Sequence, residues 1–188
     1  MRRIVLAAFA CMLAVPGMTA AQGNPSVGAA QEAARPAADP KDVESVDAII
    51  AALYDVISGP AGQARNWDRM RSLFAPGARL MPVRAPSGTP ASIVQLSVED
   101  YITRAGPSLE RDGFFEREIG RRLESFGHIA HAFSAYESKR TPEDAQPFAR
   151  GINSIQLLHD GSRWWVVSVY WDSERPGTPI PPQYISRP

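Results

Sequence analysis

The chain has 188 residues, of which 44% are hydrophobic and 21% are charged. Its 20 basic and 20 acidic residues give a formal net charge of zero. This balance argues against a nucleic-acid-binding protein that works by bulk positive charge, because neutralising phosphates needs a cationic surface. The length suits one domain with a sizeable core.

The first 21 residues have the pattern of a secretory signal peptide. Two arginines precede an uncharged apolar run over residues 4–15, and small residues at positions 19–21 suit a cleavage site. An apolar run of about twelve residues is too short to cross a bilayer of roughly 30 Å as a helix. We therefore expect a periplasmic or secreted protein that has no membrane attachment after cleavage.

The single cysteine, Cys11, lies inside this predicted signal peptide. A mature chain without cysteine can form no disulfide, no cysteine nucleophile and no thiolate metal site. Its stability must then come from an ordinary apolar core.

Two low-complexity stretches flank the predicted folded unit, which spans residues 42–173. Residues 22–41 are rich in Ala, Pro, Gly and Gln and have no apolar period, which is typical of a flexible linker. Residues 174–188 contain five prolines and predict a tail that is neither helix nor central strand. Tyr184 and Ile185 are large apolar residues of this tail and could anchor it on the domain.

The folded unit opens with a helical period. Apolar residues recur at three- and four-residue spacings over residues 42–58, which predicts an amphipathic helix with Asp42 as its N-cap. A second, short helix is expected over residues 67–74, with Asn66 as its cap.

A strand is expected next, over residues 78–83, followed by an irregular proline-rich loop. A third helix is predicted over residues 98–109. Ser97 would cap this helix, and Pro107 would disturb it.

After Gly113 the pattern changes to strand-like alternation. Four strands are expected, the first with apolar positions at 115, 119 and 123, the second from residue 129, and the last two over residues 148–158 and 163–172. The turn residues at positions 159–162 predict a hairpin between the last two strands. Helices followed by an antiparallel meander indicate an α+β fold.

Four features together resemble the nuclear transport factor 2-like, or SnoaL-like, superfamily. They are Tyr54 near the end of the opening helix, the segment of residues 67–78 (WDRMRSLFAPGA), the order of the later elements, and the final hairpin ending at residues 163–171 (RWWVVSVYW). The resemblance covers residues 42–173.

This resemblance implies a curved antiparallel sheet wrapped around the N-terminal helix, a cystatin-like cone with about three helices and four to six strands. It implies a pocket at the open end and, often, a homodimer formed through the outer sheet face. Some members are enzymes and many are non-catalytic binding modules, so the fold alone decides no reaction.

The ketosteroid isomerases of this superfamily use a helix tyrosine with a protonated aspartate as an oxyanion pair, and a second aspartate as the base. Tyr54 resembles the helix tyrosine. The base position falls on about Met81, and the acid position falls near Asn153. Because methionine cannot take a proton, this departure argues against that isomerase chemistry.

Strand alternation gives a set of expected pocket residues. On the second strand, His131, Phe133 and Glu137 share a face with Ile129 and Ala135, and this face is expected to point inward. On the last strand, one face would hold Trp165, Val167, Val169 and Trp171. The expected ligand-binding residues are Tyr54, Trp67, Phe133, Glu137, Asn153 and Trp171, and His131 is the candidate catalytic acid or base.

The sequence gives little support for a metal site or a cofactor site. The spacing of His128 and His131 puts their rings on opposite faces of a strand, so we expect no metal site, and no motif points to a cofactor. The charged residues of the first meander strand predict a solvated or dimer-facing surface; they are Glu116, Arg117, Glu118, Arg121, Arg122 and Glu124.

The sequence therefore predicts an exported domain that binds a small, partly apolar molecule without established catalysis. One alternative is a SnoaL-like isomerase, dehydratase or hydrolase, in which His131 acts as acid or base while Tyr54 and Asn153 orient a carbonyl. Another alternative is an accessory domain that binds a partner protein through its sheet.

Overall fold

The computed structural model describes residues 35–85 and 90–185. The predicted signal peptide, the first part of the predicted linker and the tip of the proline-rich loop lie outside the described residues. The elements follow the chain as α1 (Pro40–Val43), α2 (Val46–Ile57), α3 (Trp67–Leu73), β1 (Phe74–Arg84), β2 (Ser92–Ile93), α4 (Val98–Asp112), β3 (Phe115–Phe126), β4 (Ile129–Lys139), β5 (Ala149–His159), β6 (Trp164–Ser173) and a 3-10 helix (Pro182–Tyr184).

The caps that the sequence predicts fix the starts of α3 and α4. The Asn66 side chain accepts a hydrogen bond from the backbone N–H of Arg69 at 2.9 Å. Ser97 and Asp100 form a capping box, in which each side chain accepts a bond from the backbone N–H of the other residue. Both starts are confirmed, and α4 continues past the predicted end to Asp112 with Pro107 inside it. No described helix combines the length and apolar character that crossing a membrane requires.

The opening helix is split into two pieces. Ser45 is extended (φ −145°, ψ 165°), and its hydroxyl accepts a bond from the N–H of Ala48 at 3.0 Å, so α2 starts afresh at Val46. The prediction that Asp42 caps a single helix is therefore wrong. Asp42 instead accepts a bond from Arg69 Nε at 2.7 Å and ties α1 to α3. Helix α1 begins inside the stretch that the sequence assigns to the linker.

The six strands form one curved sheet in the order β2-β1-β6-β5-β4-β3. The α+β class is confirmed, and the meander from β3 to β6 is antiparallel. One pair differs from the expectation of an antiparallel sheet, because β1 runs parallel to β6, with Leu80 opposite Val169. A parallel pair is possible here because a long stretch of chain separates the two strands.

Helix α2 packs on the inner face of the sheet. Its buried residues include Ile49, Ile50 and Leu53, and the core they join continues into Ile155 and Leu157 of β5. Strand β4 turns a row of mostly small side chains toward the helix, namely Ala130, Ala132, Ser134, Tyr136 and Ser138. Small residues suit this position because they allow the helix backbone to come close to the sheet.

The prediction for the inner face of β4 is wrong. His131, Phe133 and Glu137 alternate with the buried small residues and therefore lie on the outer face of the sheet. The size of these side chains suggests a core face. Here helix α2 lies close to the sheet, and His131, Phe133 and Glu137 point away from it.

Strand β6 contains a bulge that also reverses an expected face. Its pairing with β5 skips Val167, so Val166 is buried before the bulge and Val169 after it. The prediction that Trp165 and Val167 share a face with Val169 and Trp171 is wrong, because the extra residue inverts the alternation.

The proline-rich tail returns across the outer face of the sheet. The ring of Tyr184 packs edge-on against Phe133 with centroids 5.0 Å apart, and Ile180 is buried. The backbone of Tyr184 and Ile185 passes directly over Gly120 of β3. The tail thus covers part of the face through which a homodimer is expected to form, and the homodimer stays a prediction.

Replacing Gly120 with Ala tests the placement of the tail. A Cβ atom there would lie 2.4 Å from the carbonyl oxygen of Tyr184, a backbone atom that cannot rotate away. We expect G120A to lower the free energy of unfolding of the full chain by about 1–3 kcal/mol, measured by urea denaturation. In a chain that ends after Ser173 the same change should cost less than about 0.5 kcal/mol. Equal costs in both chains would show that the tail does not lie on Gly120.

Candidate functional site

A cavity of about 260 Å³ lies between α2, α4 and the inner face of the sheet. Aliphatic side chains from the helices and strands form part of its wall. Five aromatic residues complete the wall, namely Tyr54, Tyr101, Phe114, Tyr136 and Trp171. Two further polar side chains reach the cavity, Glu116 from β3 and Asn153 from β5. Apolar walls with a few convergent polar groups are typical of small-molecule sites.

Helix α4 and strand β6 supply the aromatic contact at one side of the cavity. Tyr101 and Trp171 meet edge to face, with ring centroids 6.5 Å apart and planes at 81°. This geometry is favourable for aromatic pairs and holds both rings at the cavity wall.

A chain of hydrogen bonds crosses from β5 to β3 through the hydroxyl of Tyr54. Ser134 Oγ donates to Glu118 Oε1 at 2.6 Å, which uses its single proton. The Tyr54 hydroxyl, 2.7 Å from Ser134 Oγ, must therefore donate to it. Asn153 Nδ2 completes the chain by donating to the Tyr54 oxygen at 3.1 Å. All four side chains are thus oriented by one another.

These hydrogen bonds restrict what Tyr54 can do chemically. Its proton is directed at Ser134, so the hydroxyl has no second proton to offer a ligand carbonyl. Burial raises the pKa of Tyr54 well above its ordinary value, which keeps the phenol neutral. The arrangement favours a positioning role for Tyr54 over an oxyanion-stabilising one.

Glu116 is the carboxyl group that faces the cavity. Its Oε2 accepts a hydrogen bond from Ser138 at 2.8 Å, and its Oε1 accepts one from Asn153 at 3.4 Å. Burial raises the pKa of Glu116 to about 7, although both hydrogen bonds act in the opposite direction. The group can therefore change its charge near neutral pH, which suits acid–base chemistry or ligand recognition.

The expectation that Glu116 belongs to a solvated or dimer-facing surface is wrong. It lies opposite Ser138 in the β3–β4 ladder, and directly opposite residues point to the same face. The small-residue row of β4 was the signal that could have revealed this, since that row is the inner one. Because Ser138 belongs to the inner row of β4, its partner Glu116 on β3 must also point inward.

The structure brings three of the seven predicted site residues to the cavity: Tyr54, Asn153 and Trp171. Trp67 is not among the lining residues. Its indole N–H donates to Glu110 Oε1 at 3.1 Å, and its ring lies against Gly106 of α4. These contacts give Trp67 a structural position between α3 and α4.

The other three lie on the outer face of the sheet. His131 Nε2 is 2.9 Å from Ser154 Oγ, and Phe133 packs under the tail. Glu137 forms an ion pair with Arg117 at 2.7 Å. His131 and Phe133 cannot reach a ligand in the inner cavity, because the sheet lies between them and it, and Glu137 lines a neighbouring groove instead of the cavity.

A larger groove of about 720 Å³ runs between α2 and β3 and shares Tyr54 and Glu116 with the cavity. Most of its charged residues are held in ion pairs. Arg121 forms an ion pair with Asp47 across the groove. The smaller, aromatic cavity is therefore the better candidate site. Within residues 35–85 and 90–185, no three His, Cys, Asp or Glu side chains group as a metal site would require.

No protein-family model matches the chain, and no curated protein matches it. Similar solved structures include a nuclear transport factor 2-like protein of unknown function from Silicibacter pomeroyi, with 16% identity over 70% of this chain and 94% of that chain and a TM-score of 0.45. A protein of unknown function with a cystatin-like fold from Nostoc punctiforme has 11% identity over 69% and 88% of the two chains and a TM-score of 0.49.

A further nuclear transport factor 2-like protein of unknown function, from Methylobacillus flagellatus, has 15% identity over 70% and 95% of the two chains and a TM-score of 0.41. Two of these three neighbours carry the name of the superfamily that the sequence resembles.

Replacing Glu116 with Gln should make stability less dependent on pH. Below about pH 4.5 the carboxyl is protonated in both the folded and the unfolded chain. Between about 4.5 and 7 the unfolded chain releases its proton first, so the wild type loses stability as the pH rises. Above pH 7 we expect E116Q to be more stable than the wild type by up to about 3 kcal/mol, measured by urea unfolding.

The matched control is Glu124→Gln, which changes an exposed carboxyl on the same strand. Its stability should follow that of the wild type across the whole pH range. If the free energies of unfolding of the wild type and E116Q differ by the same amount at every pH from 4 to 8, the assignment of Glu116 to a desolvated site is wrong.

Proposed function

We propose that this protein binds a small, partly apolar molecule in the cavity between α2, α4 and the sheet. The observation that carries the proposal is the composition of the cavity wall. Aromatic and aliphatic side chains surround about 260 Å³, and apart from the tyrosine hydroxyls and the Trp171 indole N–H the polar side-chain groups of the lining come from Glu116 and Asn153. Such a wall favours an apolar body with one polar group.

The polar group of the ligand would lie beside Glu116. Asn153 directs its Nδ2 at Tyr54 and Glu116, so both of its donor hydrogens have partners. The carboxyl of Glu116 receives bonds from Ser138 and Asn153 and keeps further lone pairs for a ligand. Glu116 is thus the group that gives the cavity chemical selectivity.

A second candidate function is an enzyme of the SnoaL-like type that uses Glu116, in place of His131, to move a proton. The supporting observation is the pKa of Glu116, which burial raises to about 7. General acids and bases work best when their pKa lies near the working pH. His131, on the outer face, has no access to the cavity.

Export forms part of the proposal and is supported by the composition of the first 21 residues alone. A protein that acts outside the cytoplasm would meet small extracellular molecules directly, which suits a binding module.

A cavity-filling variant tests the proposed site. Ala105 lines the cavity from α4, so Ala105→Phe should fill the space that a ligand needs. Small compounds that raise the melting temperature of the wild type, because they bind the native state, should lose at least about tenfold in affinity for A105F. Thr103→Phe, which places the same ring at an exposed position of α4, is the matched control and should keep full affinity.

Compounds that stabilise the wild type and A105F equally would bind outside the cavity, and the proposed site would be wrong. Isothermal titration of each compound with the three proteins provides the affinities.

A further inference from the structure

The cavity combines a carboxyl group with several aromatic rings and holds no cation of its own. We propose that its ligand is a small organic ammonium ion, with the charged nitrogen beside Glu116 and an apolar body among the rings. This inference rests on the proposed binding function and names the chemical class of its ligand.

The first supporting observation is the lack of a counter-ion. In the described part of the chain, Glu116 takes part in no ion pair, and its hydrogen bonds come from the neutral side chains of Ser138 and Asn153. The nearby arginines of β3 are engaged elsewhere. Arg117 pairs with Glu137 on the outer face, and Arg121 pairs with Asp47 of α2.

The second observation is the ring content of the wall. Tyr101 and Trp171 meet edge to face, and Tyr54, Phe114 and Tyr136 line the same space. The faces of aromatic rings carry negative charge density and attract cations, most strongly where water is excluded. Rings grouped around a carboxylate are a common way to hold an alkylated or arylated amine.

The third observation concerns the cost of the charge. Burial raises the pKa of Glu116 although Ser138 and Asn153 donate hydrogen bonds to it, and no cationic side chain among the described residues pairs with the ionised carboxyl. An ammonium ion would supply the missing partner and form a charge-assisted hydrogen bond with the carboxylate. A neutral ligand of the same shape would leave the carboxylate unpaired.

The volume limits the size of the ligand. A cavity of about 260 Å³ suits a ring or a branched alkyl chain with one amino group.

Amine and alcohol pairs of equal shape provide the test. The mature protein at about pH 8 is titrated with butylamine and butanol, benzylamine and benzyl alcohol, and cyclohexylmethylamine and cyclohexylmethanol. Affinities are measured by calorimetry, and the contact site is followed by the NMR signals of the Trp171 indole N–H and the Asn153 amide. At least one amine should bind about tenfold or more tightly than its alcohol and shift both signals.

The variant E116Q should remove this preference for the amine while the alcohols bind as before or more tightly. The exposed control E124Q should keep it. If every alcohol that binds the wild type does so as tightly as its amine, the ammonium inference is overturned and the proposed binding site stays intact. If no member of any pair binds or shifts either signal, both the inference and the proposed function fail.

Discussion

The structure depends on how closely helix α2 approaches the sheet. The row of small residues on β4 lets the helix come near enough for the Tyr54 hydroxyl to bond with Ser134. That bond continues to Glu118 on one side and to Asn153 on the other, so three strands and the helix are fixed relative to one another. The cavity lies where α2 and α4 together cover the inner face of the sheet.

Glu116 makes this arrangement costly for stability. A carboxyl that faces aromatic rings without a cationic partner favours the unfolded chain once it is ionised. A protein selected for stability alone would be expected to hold an apolar residue or Gln there. Groups that reduce stability in this way are concentrated at functional sites, which connects the energetics of Glu116 with the proposed role of the cavity.

The sequence predicts the class of fold well, because caps, turns and periodicity are local properties. Asn66 and Ser97 begin their helices as expected, and the hairpin between β5 and β6 forms at the predicted turn. The faces of the strands were harder to assign. On β4 His131, Phe133 and Glu137 point outward, where Phe133 packs against Tyr184 of the tail, so side-chain size misleads there. On β6 one extra residue reverses the alternation, and the sequence shows no mark of that bulge. The sequence does not reveal Glu116 as a cavity residue, because the face of its partner strand β4 is assigned wrongly from side-chain size.

The central claim is that Glu116 faces a desolvated, aromatic cavity without a counter-ion. Its most direct test is an NMR titration of the Glu side-chain carboxyl carbons in the ¹³C-labelled protein without ligand, with the Glu116 signal assigned by its absence from E116Q. We predict a titration midpoint of about 7 for this carboxyl. A midpoint near 4.5, the ordinary value for glutamic acid, would contradict the account.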